Sequence, residues 1–155
     1  MKLMLMVFGM AMTIGFGPEE HDVPLANYQF DVFREVITLE AQFDKKDMES
    51  AVLKEGQKQV TKEELLSYFW FNTSFFINKV ETQFQLCDFR TDEEHYYLNV
   101  ELPIDPTPLK ELKVFTTCLV KEIADHSNIL FIDQGKEETR GYRLHKGRIH
   151  TTIEF

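Results

Sequence analysis

The stretch TKEELLSYFWFNTSFFIN, Thr61 to Asn78, decides the fold, because it reads as one long helix. Thr61 followed by Glu64 is a capping box, in which hydroxyl and carboxylate each satisfy a free backbone N–H at a helix start. Leu65, Phe69, Phe76 and Val80 recur at helical spacing, while Glu63, Ser67, Ser74 and Asn78 form a narrow polar edge. A helix so apolar is buried on several sides or presents one side to a partner, and Trp70 and Phe71 are the residues placed to anchor an interface.

Upstream, the pattern changes period. Tyr28, Phe30 and Val32 share one parity and Ile37, Leu39, Ala41 and Phe43 the other, which predicts strand on either side of a turn or bulge near Phe33 to Val36. The β-branched Val32, Val36, Ile37 and Thr38 favour strand over helix there. Asp44 to Gln59 is polar and reads as a connection with one helical turn around Met48 to Leu53.

Downstream, Val80 to Leu102 predicts a hairpin. Phe84 and Leu86 on one arm match Tyr96, Leu98, Val100 and Leu102 on the other, with Arg90 to Glu94 as the loop. Asp105-Pro-Thr-Pro predicts a second helix capped by Thr107, with Leu109, Leu112, Phe115, Leu119 and Ile123 as its apolar stripe and an end near His126. Asn128 to Asp133 is a short strand, and Arg140–His145 and Arg148–Phe155 form a terminal hairpin turning at Lys146-Gly147. The expected fold is therefore α+β: an antiparallel sheet with two helices packed on one face, in the split βαβ order of ferredoxin-like domains, plus a C-terminal β-hairpin.

The 155 residues suit one domain, residues 16–155, and residues 1–15 are expected to be a signal peptide. Lys2 is its basic start, Leu3 to Met12 its apolar run and Thr13 to Gly17 its small-residue cleavage zone. The run is short of the roughly 18 to 20 residues that span a bilayer, so stable membrane insertion of the mature chain is not expected. Export to the periplasm or exterior follows, or a cytoplasmic location if Lys2 to Phe8 is instead a buried strand. Cys87 and Cys118 fall on opposite sides of the expected sheet, which favours two separate thiols over a disulfide.

Seventeen basic against 26 acidic residues give a net charge of −9, and nucleic acid is a poor partner for such a surface. No HExxH, CxxC, GxSxG, P-loop or GxGxxG occurs, so neither catalysis nor a cofactor is indicated. The five histidines lack metal-ligand spacing and read as surface imidazoles, so no metal is expected.

Two charged clusters remain. Between Thr139 and Thr152 there is no acid, and Arg143, His145, Arg148 and His150 would share one face of the terminal hairpin as an anion-binding candidate. The loop Asp92, Glu93 and Glu94 is a contact candidate for a basic partner. Taken together, the expectation is a small acidic non-catalytic protein that engages a protein partner, of inhibitor or immunity type. The alternative is a small-molecule enzyme or anion-binding domain using the Arg143–His150 face.

Overall fold

A computed structural model describes residues 24–33, 35–104, 108–135 and 139–155. The expected signal peptide, residues 1–15, lies outside these, as does the Thr107 cap.

Alternating burial builds the first sheet. β1 (Leu25–Val32) turns back into β2 (Val36–Asp44), pairing Tyr28 with Ala41 and Phe30 with Leu39. β6 (His95–Pro103) continues the sheet from β2, setting Val100 beside Leu39 and Leu98 beside Ala41. β5 (Gln85–Thr91) lies outside β6, with a bulge between Leu86 and Asp88. On the other flank β8 (Ser127–Asp133) runs parallel to β1, and β9 (Arg140–Leu144) closes the six-stranded sheet, of order β5-β6-β2-β1-β8-β9.

Two short helices follow β2: α1 (Lys45–Val52), capped by Asp44, and α2 (Lys62–Asn72), whose Thr61–Glu64 capping box is present as read from the sequence. The helix does not reach Asn78. Asn72 is its last residue: its side chain donates to the Tyr68 carbonyl at 2.8 Å, and its own carbonyl accepts from Thr117 N–H at 2.8 Å. The chain is extended from Thr73 and forms β3 (Thr73–Ile77), which buries Thr73, Phe75 and Ile77 in alternation. With β4 (Val80–Thr82), β7 (Glu111–Thr116) and β10 (His150–Glu154) it makes a second sheet, of order β10-β7-β3-β4.

The two sheets face each other across one core, as when Phe30 of β1 meets Phe75 of β3 edge-on at 6.2 Å between ring centroids. Phe69 of α2 packs against Tyr28, Phe43, Phe75 and Phe84, so the helix contributes to the filling between the sheets.

The expected α+β arrangement of one sheet under two helices is thus replaced by a mostly β protein of two sheets. Three local misreadings produce the difference. The aromatic second half of Thr61–Asn78 is strand. The expected helix after Pro108 is β7, because Leu112, Val114 and Thr116 alternate with Glu111, Lys113 and Phe115, and the β-branched Val114 and Thr116 suit a pleated surface. The expected terminal hairpin is a corner: β9 pairs with β8 in one sheet and β10 with β7 in the other. Only His145 and Arg148 bridge at the corner, through reciprocal backbone hydrogen bonds of 2.8 Å. Likewise the arms of the Val80–Leu102 unit divide, β4 joining the second sheet and β5–β6 the first.

Candidate functional site

Between β7 and β8 the chain crosses from one sheet to the other through tight turns, and this crossing builds a cleft of about 950 Å³ against the β9–β10 corner. Leu119 and Asp125 both hold φ of 60°, a left-handed conformation that costs a non-glycine residue about 1–2 kcal/mol. Side chains from neighbouring elements hold the turns in place. Tyr68 accepts a hydrogen bond from Leu119 N–H at 2.8 Å, Asn128 donates to the Cys118 carbonyl at 3.0 Å, and Thr117 donates to Asn72 Oδ1 at 3.0 Å. Val120, Ile123 and Ala124 give the cleft an apolar lining, whereas Lys121, Glu122 and Asp125 face His145, Lys146 and Arg143 with charge of both signs.

His126 also lines this cleft, and it corrects the reading of the histidines as surface groups: its side chain has no exposure to solvent. Neither ring nitrogen has a partner at full hydrogen-bond geometry among the described residues, nor does Asn128 Oδ1, although the Asn128 amide lies close enough to act on the ring. Asp47 of α1 approaches to 4.0 Å from Nδ1, beyond hydrogen-bond length. Burial pushes the imidazole below its ordinary pKa, opposed by Asn128 and Glu122. Burial and the adjacent Asp44 push the Asp47 carboxyl upward. Burial drives both shifts, and neither group holds the other in its charged form.

The basic residues singled out in the sequence are divided by the corner. Arg143 and His145 stand in the cleft wall. Arg143 Nε donates to Ser127 Oγ at 2.9 Å, which fixes the guanidinium at its root and leaves its terminal nitrogens without a hydrogen bond or ion pair among the described residues. His145 Nδ1 accepts from Gly147 N–H at 3.2 Å. Arg148 instead turns toward Thr151, and His150 is exposed on β10 opposite Phe115.

The acidic loop is exposed, but its three carboxylates are not equivalent. Asp92 accepts from Tyr97 Oη at 2.7 Å and from the backbone N–H groups of Glu94 and His95 at 2.8 and 2.7 Å, and these bonds hold its pKa down to about 2. Asp92 is the clasp of the loop, and Lys45 ties its carbonyl to α1. Glu93 and Glu94 project into solvent.

At the C-terminal end of α2, Trp70 is 47% exposed and leans on Phe84 with ring centroids 4.8 Å apart, while Phe71 is 86% exposed. No hydrogen bond or ion pair among the described residues joins this aromatic pair to the acidic loop.

Sequence reasoning missed His126, Asp47 and Asn128 as neighbours. They come from a turn, a helix and a strand, and no spacing in the chain announces their meeting.

Among the described residues no three His, Cys, Asp or Glu side chains converge as metal ligands, and no helix is long and apolar enough to cross a membrane. Cys87, exposed at the β5 bulge, and Cys118, buried, are unbonded. Neither a protein-family model nor a curated protein matches the chain. Among solved structures, native yeast LTA4 hydrolase is similar at 10% identity with a TM-score of 0.21, over 78% of this chain and 26% of that one. The chain spans about a quarter of that enzyme's length, and a likeness at this level carries no argument about fold or activity.

Proposed function

We propose that this is a small, acidic, non-catalytic binding protein that engages a macromolecular partner through an aromatic anchor at Trp70 and Phe71. The observation that carries the reading is Phe71, a large apolar side chain 86% exposed beside a half-exposed tryptophan. Covering such a side chain is worth about 1.5–3 kcal/mol, and aromatic residues of this kind dominate interface energetics. The net charge of −9, with Glu93 and Glu94 projecting from their loop, supports a basic partner whose approach is steered electrostatically. An inhibitor or immunity-type protein has this profile, and the N-terminal pattern of residues 1–15 supports a periplasmic or secreted setting.

The test is affinity capture from the host's own extract with three baits: the wild-type protein, a Trp70→Ser/Phe71→Ser variant and a Glu93→Lys/Glu94→Lys variant. The reading requires a protein held by the wild type, lost by the aromatic variant, and associating more slowly both with the charge-reversed variant and at raised salt. Retention indifferent to both variants, or no specific retention, overturns it.

A further inference from the structure

The cleft between the 120–127 turns and the 143–146 corner is built from other residues than the aromatic anchor, so a ligand there is independent of a macromolecular partner. We propose that this cleft binds a small organic molecule with an anionic oxygen head group and an apolar body. Arg143 clamps the head group, and His126 forms the polar floor.

Three observations converge on it. First, Arg143 is preorganised: Ser127 fixes Nε at 2.9 Å, so the terminal nitrogens of the guanidinium fork are presented without the entropy cost of ordering a free side chain. Lys121 on one wall and Arg143 and Lys146 on the other balance Glu122, Asp125 and the Asp47 carboxylate 4.0 Å from His126, so the cleft is formally neutral in a protein whose net charge is −9. An anion therefore meets less repulsion at this cleft than over the rest of the surface, and the guanidinium fork of Arg143 supplies the local attraction.

Second, His126 lies in the cleft lining with a fully shielded side chain and two ring nitrogens without partners at full hydrogen-bond geometry among the described residues. A buried polar group left unpaired costs about 1–3 kcal/mol, and a ligand oxygen recovers it once the imidazole, shielded in this structure, turns toward the cleft. Third, about 950 Å³ is the size of a small-molecule site rather than of a lone ion, and Val120, Ile123 and Ala124 line it with carbon. The head group follows from the guanidinium, and the apolar body from these three side chains. Phosphate and carboxylate share this recognition chemistry, and the experiment separates them.

The full-length protein is titrated with phenyl phosphate, benzoate and inorganic phosphate at matched ionic strength. Melting temperature and the His126 imidazole NMR resonances are followed together. At least one organic probe raises the melting temperature and moves the His126 resonances, and its identity assigns the head group as phosphate or carboxylate. Arg143→Gln lowers the melting temperature without probe, because the buried Ser127 hydroxyl loses its partner, so the variant is read on binding, where the dissociation constant rises at least tenfold. Binding of neither organic probe overturns the proposal. Binding that survives Arg143→Gln, or that leaves the His126 resonances in place, removes the clamp and the floor. Inorganic phosphate binding as tightly as phenyl phosphate removes the apolar body.

Discussion

The hydroxyl of Tyr28 in β1 lies 3.4 Å from the hydroxyl of Thr116 in β7, so the two sheets are joined by a hydrogen bond inside an otherwise apolar core. Thr116 is the hub: its oxygen also meets the Thr73 hydroxyl at 3.2 Å and accepts from Cys118 N–H at 3.3 Å. Burial raises the Tyr28 pKa well above its ordinary value, so the phenol stays protonated and can donate across the interface. Tyr28→Phe removes one partner and should cost about 0.5–1.5 kcal/mol. Thr116→Val strands the Tyr28 hydroxyl and the Cys118 N–H, while the Thr73 hydroxyl keeps Cys118 Sγ at 3.4 Å, and it should cost more, at about 1–3 kcal/mol for each group left unpaired. Urea unfolding of both variants checks the order, with midpoints falling at an unchanged slope.

Phe69 and Phe71 are two residues apart on α2 and should behave oppositely. Phe69 is fully buried among Tyr28, Phe43, Phe75 and Phe84, and Phe69→Ala should cost about 3–5 kcal/mol through the cavity it leaves. Phe71 is 86% exposed, and Phe71→Ala should change stability by no more than about 0.5 kcal/mol. Thermal unfolding of the pair decides whether α2 is inserted as described; equal losses would mean that it is not.

The strands were legible wherever alternation was strict. Tyr28 with Phe30, Ile37 through Phe43, and Tyr96 through Leu102 lie where a period of two places them, and Thr61 with Glu64 marks the start of α2. The fold was lost at segments whose apolar residues satisfy both periods. Leu109, Leu112, Phe115 and Leu119 fit a helix, yet Leu112, Val114 and Thr116 fit a strand, and pairing with β3 and β10 decided for strand. In Thr61–Asn78, side chains alone did not show that Asn72 would close the helix on the Tyr68 carbonyl. Because β9 and β10 separate, Arg143 and His145 were legible as a basic pair, but their cleft was not, since its other wall is the β7–β8 crossing.

The depressed His126 pKa ties stability to pH. The unfolded imidazole takes up its proton near pH 6.5, while the folded one resists until lower pH. Above the unfolded value neither state binds the proton and nothing is lost. As the pH falls below about 6.5 and on through the folded pKa, the unfolded state gains protons first and stability drops. His126→Asn removes that proton, so its stability should fall less steeply between pH 7 and the folded pKa than the wild type's. Urea midpoints measured across that range check it, and parallel curves would place the titrating group elsewhere.

The two thiols should separate cleanly by reactivity. Cys118 has no exposure and sits against the Thr73 hydroxyl at 3.4 Å, with burial raising its pKa, so it should resist a thiol reagent until the protein unfolds. Cys87 is exposed at the bulge of β5 and should be the one thiol that reacts in the native state. Its reaction should nevertheless be slow at neutral pH, because partial desolvation and the nearby Glu101 carboxylate raise its pKa and reduce the thiolate fraction. Glu101→Gln removes the carboxylate's share of that shift, so the rate at pH 8 should increase while the count of native-reactive thiols stays at one. A disulfide-exchange reagent followed by absorbance measures both quantities. Two reactive thiols in the folded protein would mean that the β7–β8 crossing, where Cys118 lies, opens.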